Sequence, residues 1–139
     1  MNHSDDVSEV LKKDGVDLID LKTFVNKSCV SVDEVVEKYG DESAWATRVV
    51  YNDRFGAVLI KQFPGEGNRL HYHSDADECW VILEGEWEWY IEGEGTKKVK
   101  KNDIVLVKKN TKHKITCRGD KPGIRLAITK PDVDHIYED

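Results

Sequence analysis

The chain has 139 residues, of which 39% are hydrophobic and 35% are charged, and its formal net charge is -6. This length fits one domain with one core, the apolar content excludes wholesale disorder, and the acidic balance argues against a nucleic-acid partner. The longest aliphatic run, Ile104–Val107, is far short of the roughly 20 apolar residues of a membrane helix, and the acidic N-terminus resembles no secretory signal. We therefore expect a soluble, cytoplasmic protein with no membrane partner.

One short helix is predicted near the N-terminus. The segment Ser31–Gly40 places Ser31 three residues before Glu34 and closes on a glycine, the pattern of a capping box followed by a left-handed C-terminal residue. The earlier stretch Ser4–Asp14 has weaker signals and is expected to be a frayed or helical arm.

From Trp45 onward the hydrophobic period changes from about 3.6 residues to 2, which is typical of strands. Pro131 ends this region, because proline has no N–H to donate to a neighbouring strand. So many short strands predict an all-β sandwich or barrel. The nine predicted strands are Trp45–Tyr51, Phe55–Phe63, Leu70–His73, Cys79–Leu83, Trp87–Ile91, Lys97–Lys100, Ile104–Val107, His113–Cys117 and Ile124–Thr129.

We expect one domain overall, in three parts. Residues 1–44 form the N-terminal arm and short helix, residues 45–131 form the barrel, and residues 132–139 form a C-terminal tail. His3 and His135 lie in the terminal segments and are expected to be solvated.

Histidines and a carboxylate follow one another in a pattern that suits a metal. His71 and His73 are two residues apart on one strand, so their side chains project from the same face. Glu78 begins the next strand, where antiparallel pairing can bring it opposite the imidazoles, and His113 opens a later strand. Three imidazoles and one carboxylate suit Fe, Mn, Ni, Co or Zn rather than calcium or magnesium. We predict that these four residues bind one divalent transition metal, whose identity stays open.

This spacing resembles the first sequence motif of the cupin family. That motif is Gly, five residues, His-x-His, three or four residues, Glu, six residues and Gly. The chain matches every fixed position, with Gly65, His71, His73, Glu78 and Gly85. Because five fixed positions agree in residue type and spacing, the match is specific.

The second cupin motif is degenerate here. It is Gly, five residues, Pro-x-Gly, two residues, His, three residues and Asn, and only His113 is retained. The family's two glycines are replaced by Asn102 and Asn110, its proline by Lys108 and its asparagine by Cys117. After glycine, asparagine adopts positive φ most readily, so the turns are expected to persist.

The resemblance covers about residues 55–129 and implies a fold and a ligand set. It is to the small, single-domain cupins of the type-2, conserved-barrel kind. Their fold is a jelly-roll barrel, also called a double-stranded β-helix, in which the four matched residues coordinate a divalent metal. Such barrels frequently assemble as homodimers, so we expect a homodimer here.

Strand parity adds candidates for the pocket around the metal. Trp80 shares a face with Glu78, and Cys117 shares a face with His113. Gln62 is a third candidate for the substrate pocket. Arg69 lies two residues before His71, so it is expected on the same face, where it could bind a substrate carboxylate or phosphate.

Acid–base catalysis needs a further titratable side chain within reach of the substrate. Glu88 and Tyr90 are the candidates, and Tyr51 is another. Glu88 and Tyr90 alternate with Trp87 and Trp89, so one set faces the barrel and the other faces outward. The register of the strand, which decides between them, stays open.

Four protein ligands leave one or two coordination positions open, which favours an enzyme. By resemblance, the first expectation is isomerase or epimerase chemistry of the sugar-phosphate kind on a small polar or anionic molecule. An Fe(II)-dependent dioxygenase or a metal-assisted lyase is the alternative, and a non-catalytic ligand-binding cupin is the third. Fold-level analogy does not choose among them.

The charge is divided unevenly along the chain. Residues 1–95 carry 21 acidic and 9 basic side chains, whereas residues 96–139 carry 6 and 12. The lysines from Lys97 to Lys114 leave two interpretations open, a solvated face that protects hairpin edges or a surface that attracts an anion.

The cysteines point to a reducing environment. Cys29, Cys79 and Cys117 are an odd number and include no Cys-x-x-Cys pair. This argues against a disulfide framework and a thiolate zinc site. We expect three reduced thiols that behave as small buried hydrophobes.

Overall fold

A computed structural model describes residues 2–4, 18–20 and 22–137, with side chains described for 22–137. Within these ranges the chain forms twelve strands and one helix, α1 (Val32–Tyr39). The strands are β1 (Asn2–Ser4), β2 (Leu18–Asp20), β3 (Trp45–Tyr51), β4 (Gly56–Gln62), β5 (Gly67–His71), β6 (Glu78–Glu84), β7 (Glu86–Ile91), β8 (Gly95–Lys100), β9 (Ile104–Val107), β10 (His113–Arg118), β11 (Gly123–Thr129) and β12 (His135–Tyr137). All nine predicted strands are therefore present. Of the weaker candidate Ser4–Asp14, only Ser4 lies within the described residues, and it belongs to β1.

Two large sheets pack face to face and enclose the main core. The six-stranded sheet has the order β2-β3-β4-β11-β6-β9, and the four-stranded sheet has the order β5-β10-β7-β8. Neighbouring strands are antiparallel except β2 and β3. Ile60 and Trp80 of the first sheet share one buried cluster with Trp89 and Ile115 of the second. This arrangement confirms the predicted all-β jelly-roll barrel.

Strand β7 settles the orientation that the sequence left open. Trp87 and Trp89 are buried, whereas Tyr90 is 39% exposed on the other face. The period of two follows from the pleat of a strand. Each indole removes about 150–250 Å² of surface from water, which makes the tryptophans a large part of the barrel core.

Two of the three lysines of β8 lie opposite glutamates of β7. Lys98 pairs in register with Glu88, and Lys100 pairs with Glu86. Opposite charges directly across an antiparallel pair stabilise it, and charged side chains on an edge strand disfavour pairing with another chain. The geometry favours the edge-protecting interpretation for these lysines.

Helix α1 covers the outer face of the six-stranded sheet. Val35 is fully buried in a second cluster with Phe24, Trp45 and Leu59. The helix begins after Ser31 and ends before Gly40, which has the predicted positive φ, but the Ser31 side chain makes no capping hydrogen bond. With eight residues α1, the one helix among the described residues, is too short to cross a bilayer.

The turns of the degenerate second motif persist. Asn102 has φ of 78° and Asn110 has φ of 66°, the left-handed region that glycine usually occupies. The Asn110 backbone N–H donates to the His73 carbonyl at 2.6 Å. The expectation that asparagine replaces glycine without loss of the turn is therefore confirmed, and the second of these turns is tied to a predicted metal ligand.

The C-terminal strand corrects one expectation. Strand β12 pairs antiparallel with β1, and Tyr72 and Ile136 exchange backbone hydrogen bonds, which places β12 beside the end of β5. His135 is only 8% exposed, so the prediction that it is a solvated tail residue is wrong. The side chain of His3 lies outside the described atoms.

The cysteines form no disulfide, as predicted. Only Cys117 is buried in the way that was expected of all three. Cys79 is half-buried and Cys29 is exposed.

Candidate metal centre

The four predicted ligands converge inside the barrel. His71 on β5 lies directly opposite His113 on β10, and Glu78 opens β6 after the turn that carries His73. All four side chains are buried, and their ligand atoms lie within 4.8 Å of one another. Ligand atoms this close can share one ion.

Backbone carbonyls fix the three imidazole rings. In His71, His73 and His113 the Nδ1–H donates to a carbonyl oxygen, which can only accept, so the Nε2 lone pair is left for a ligand. The Nε2 atom of His113 is buried and has no hydrogen-bond partner in the described part of the chain. The accepting carbonyls are those of Arg69, Asp134 and Thr111, at 2.6, 2.8 and 3.0 Å.

This tautomer pattern fits a divalent transition metal. A buried nitrogen lone pair without a donor is costly, and an ion would satisfy it. Three neutral imidazoles and one carboxylate are also the donor set that such ions take. The residues therefore suit the predicted metal in donor type, distance and orientation.

Without a metal, His73 and Glu78 form a buried pair. The Nε2 of His73 lies 2.6 Å from Oε1 of Glu78. Burial lowers the pKa of His73, but the hydrogen bond and charge of Glu78 outweigh it and raise that pKa. Burial raises the pKa of Glu78, and the hydrogen bond and charge of His73 outweigh it in turn, so the carboxyl pKa is lowered.

The other two histidines are held neutral. Burial, then the charge of His113, lowers the pKa of His71 well below its ordinary value. Burial likewise lowers the pKa of His113, to about 4. Neutral imidazole is the form that binds a metal, so the protein environment prepares both rings for coordination.

The metal-free protein is expected to lose stability as the pH falls from about 6.5 to about 4. In this window the unfolded chain protonates its histidines, whereas burial keeps His71 and His113 neutral in the native state. The unfolded state therefore binds more protons, and the free energy of unfolding falls by on the order of 3 kcal/mol for His113 alone. The effect of His73 on the free energy of unfolding falls above this pH window, because the pKa of His73 is raised.

Urea denaturation of chelator-treated protein at several pH values measures this effect. The His113→Asn variant removes one of the two groups and should show a flatter dependence between pH 6.5 and 4. An unchanged slope in the variant would contradict the assignment.

His135 joins the centre from the C-terminal strand. Its Nδ1–H donates to the Val133 carbonyl at 3.0 Å, so its Nε2 is also an acceptor. The ring stacks on His71 with centroids 5.1 Å apart, and it lies 4.6 Å from the His73 ring. The sequence signal for this placement was the short run Val133–Tyr137, whose β-branched and aromatic residues favour a strand.

Arg69 does not share the face of His71. The pairing of β5 with β10 shifts register, so that Arg69 and Leu70 together lie opposite the single residue Lys114. Such a bulge reverses the parity of the strand beyond it. As a result Asn68 is buried and Arg69 is exposed, with its guanidinium 4.0 Å from the ring of Tyr137. The predicted inward role of Arg69 is corrected accordingly.

The arginine inside the barrel is Arg125 of β11. It is 1% exposed, and its Nη2 donates to Oε1 of Gln62 at 2.9 Å and to Oδ1 of Asn68. No sequence motif marks this arginine, because Arg125 stands within the apolar run of β11. Its inward position follows from the pairing of β11 between β4 and β6.

The remaining candidates are divided between the inside and the outside of the barrel. Trp80 is buried with its ring 5.4 Å from that of His113, so it lies near the centre as predicted. Glu88 is paired with Arg118 at 3.3 Å on the outer face of β7, beside the exposed Tyr90. Neither residue lines the cavity at the metal centre, because the inward positions of β7 belong to the tryptophans.

Gln62 and Cys117 are buried beside one another. Gln62 holds Arg125, and its Nε2 donates to the Gly67 carbonyl at 3.3 Å. The Cys117 thiol lies 3.7 Å from the Gln62 carbonyl, and burial raises its pKa. The two residues support the barrel core and do not line the cavity at the metal centre.

A cavity of about 60 Å³ adjoins the metal centre. Its buried part includes His71, Glu78, Trp80 and Arg125. Apolar walls lie between this part and a mouth that is lined by half-buried and exposed polar side chains. The mouth residues are Arg48, Tyr51, Lys130 and Asp132, and the walls are Val58, Ile60, Ile115 and Ala127.

Tyr51 at the mouth is held by an acidic neighbour. Its hydroxyl donates to Oδ2 of Asp132 at 2.6 Å, and this hydrogen bond raises the pKa of the Tyr51 phenol. The Arg48 guanidinium stacks on the Tyr51 ring at 4.0 Å. These contacts order one side of the entrance.

Comparison with known proteins places the barrel in a family. The family model described as "Cupin domain" matches residues 59–129. Among curated proteins, YdbB of Bacillus subtilis strain 168 is 37% identical over 57 residues, which are 41% of this chain and 50% of YdbB. The match therefore spans about half the length of that relative.

Solved structures share the fold. A protein with a double-stranded beta-helix domain from Klebsiella pneumoniae is 22% identical and has a TM-score of 0.67, with 82% of this chain and 100% of that chain covered. KdgF from a Halomonas species is 19% identical with a TM-score of 0.59, covering 66% and 82%. A sugar phosphate isomerase of the cupin superfamily from Silicibacter pomeroyi is 25% identical with a TM-score of 0.51, covering 55% and 50%.

Proposed function

The chain belongs to the cupin family, and from this we propose that it is a metal-dependent enzyme that acts on a small polar or anionic molecule. The observation that carries the proposal is the convergence of His71, His73, Glu78 and His113 in one buried cluster. The cluster adjoins a cavity with a mouth at the surface, so a small molecule can reach it. An ion held only for structure would need no such access.

The protein's own residues prepare the centre for catalysis. A divalent transition metal, bound there, supplies Lewis acidity toward a substrate oxygen. The carbonyl hydrogen bonds to the three Nδ1 atoms hold the rings in place, which limits reorganisation during the reaction. Ile60, Ile115 and Ala127 exclude water from the cavity walls and strengthen the electrostatic interactions inside.

The reaction class that we propose is isomerisation or epimerisation of the sugar-phosphate kind. The relative from Silicibacter pomeroyi, which is a sugar phosphate isomerase, supports this class. The cationic side chain of Arg48 at the mouth suits an anionic substrate, whereas the Lys130 ammonium there is paired with Asp75 at 2.9 Å. A cytoplasmic homodimer stays our prediction for the assembly and location of the protein.

Metal analysis combined with hydrogen exchange into the substrate tests the proposal. Protein purified without chelator is expected to hold about one transition metal per chain. With ribose 5-phosphate in deuterium oxide, NMR should show deuterium entering the carbon next to the carbonyl. The exchange should stop after chelation and return when metal is added.

Two variants sharpen this experiment. Glu78→Gln should abolish exchange, whereas Glu88→Gln, which changes a carboxylate on the outer face of the barrel, should leave it intact. Oxygen consumption by iron-loaded protein without hydrogen exchange would replace the proposal with a dioxygenase. Bound metal without hydrogen exchange or oxygen consumption would replace the proposal with a non-catalytic binding protein.

A further inference from the structure

We propose that Arg125 and Trp80 form an oxyanion-binding subsite at the buried end of the cavity. The subsite receives the carboxylate or phosphate group of the substrate while another part of the molecule faces the metal ligands. This inference rests on the proposed function, and it names the substrate class as a small molecule with an acidic group.

The first support is the way in which Arg125 is held. Gln62 and Asn68 accept hydrogen bonds from its Nη2, and its Cζ lies 5.2 Å and 6.0 Å from the rings of Trp87 and Trp89. All four of these partners are uncharged, and together they fix the orientation of the guanidinium. A planar guanidinium fixed in this way is well suited to carboxylate and phosphate oxygens.

The second support is an independent donor in the same cavity. Trp80 is 1% exposed, and its indole Nε1–H has no hydrogen-bond partner among residues 22–137. Indole nitrogen can only donate, so the atom that would satisfy it is an acceptor. Trp80 and Arg125 both line the cavity that His71 and Glu78 also line. An oxyanion bound there would accept hydrogen bonds from the Trp80 indole and the Arg125 guanidinium.

The third support is the charge of the cavity. Its lining includes the cationic Arg48 and Arg125 and the acidic Glu78 and Asp132, and also Lys130, whose charge is paired with Asp75 at 2.9 Å. A divalent ion at Glu78 would add two positive charges, and the apolar walls weaken the screening by water. The metal-loaded cavity therefore favours an anion over a neutral molecule of the same size.

Calorimetric titration of the zinc-loaded protein tests the subsite. The probes are glycolate, inorganic phosphate and the neutral glycolamide, which has the shape of glycolate without its charge. The parent protein should bind glycolate or phosphate and should bind glycolamide at least 10-fold more weakly, because a charged hydrogen bond is lost. The two anionic probes distinguish a carboxylate from a phosphate substrate.

Three variants assign the binding to these residues. Arg125→Gln should weaken binding of the anion by about 10-fold or more, and Trp80→Phe, which keeps a ring but removes the N–H, by about 3- to 10-fold. Arg118→Gln is the matched control, since Arg118 is a half-exposed arginine that pairs with Glu88 away from the cavity. It should change binding by less than about twofold.

Two readouts separate the outcomes. Thermal melting and zinc content are measured on the same samples, and Arg125→Met, which also removes the charge and the donors, replaces Arg125→Gln if that variant does not fold. Equal anion binding by the parent, Trp80→Phe and the folded Arg125 variant would overturn the subsite even when zinc is bound. Absence of zinc together with anion binding that depends on Arg125 would overturn the proposed function and keep the subsite.

Discussion

Replacing His113 with alanine is expected to lower the affinity for a divalent transition metal by more than about 100-fold. Loss of a residue that only orients a ligand already costs about 10- to 100-fold, and loss of a ligand costs more. His113 is fully buried, and its Nε2 is a ligand atom without a hydrogen-bond partner among the described residues. Competition with a chelating dye, at pH 7 and with zinc, measures the affinity.

The control for this variant is His135→Ala. His135 stacks on His71 but is not among the four residues whose ligand atoms cluster within 4.8 Å. Its removal should lower the affinity by about 10-fold, the lower end of the range for an orienting neighbour. Equal losses of affinity in the two variants would place His135 in the ligand set. An unchanged affinity in His113→Ala would contradict the assignment of the metal centre.

Replacing Gly67 with alanine is expected to lower the free energy of unfolding by about 3 kcal/mol or more. A Cβ at this position would lie 1.8 Å from the Ile115 carbonyl oxygen and 2.9 Å from the Thr116 Cα. Both are backbone atoms of β10, so the clash is relieved only when β5 and β10 move apart. His71 and Asn68 lie on β5, so metal affinity should fall together with stability.

Gly56→Ala is the matched control on the neighbouring sheet. A Cβ there would meet its nearest atom, the Val50 carbonyl oxygen, at 3.5 Å, an ordinary contact. Its stability should stay within about 0.5 kcal/mol of the parent. Urea denaturation monitored by tryptophan fluorescence compares the two variants, and similar midpoints would contradict the close approach of β5 to β10.

Local sequence patterns were sufficient for most of the barrel. Alternation of apolar and polar residues located the strands from Trp45 to Thr129, because one face of each strand must be buried. The spacing of the first motif brought His71, His73 and Glu78 together, since parity and a short turn control their geometry. The positive φ of Asn102 and Asn110 followed from the conformational range of asparagine.

The alternation of side chains along a strand predicted the wrong face for Arg69, because the pairing of β5 with β10 is irregular. Arg69 would share the face of His71 on a continuous strand, but the bulge opposite Lys114 turns Asn68 inward instead. The bulge lies next to the close approach of Gly67 to β10, a contact between segments almost fifty residues apart. A pattern read along one strand does not contain the register of its neighbour.

The all-β class, the short helix predicted within Ser31–Gly40 and the four candidate ligands could be predicted from the sequence, because each depends on the spacing of residues close in the chain. Tertiary structure alone decided that His135 lies beside the metal centre and that Arg125 is the arginine inside the barrel. His135 is placed by pairing between the two ends of the chain, and Arg125 by the position of β11 between β4 and β6. Such long-range pairing depends on the total burial and hydrogen bonding of the assembled sheets, which no local run of residues specifies.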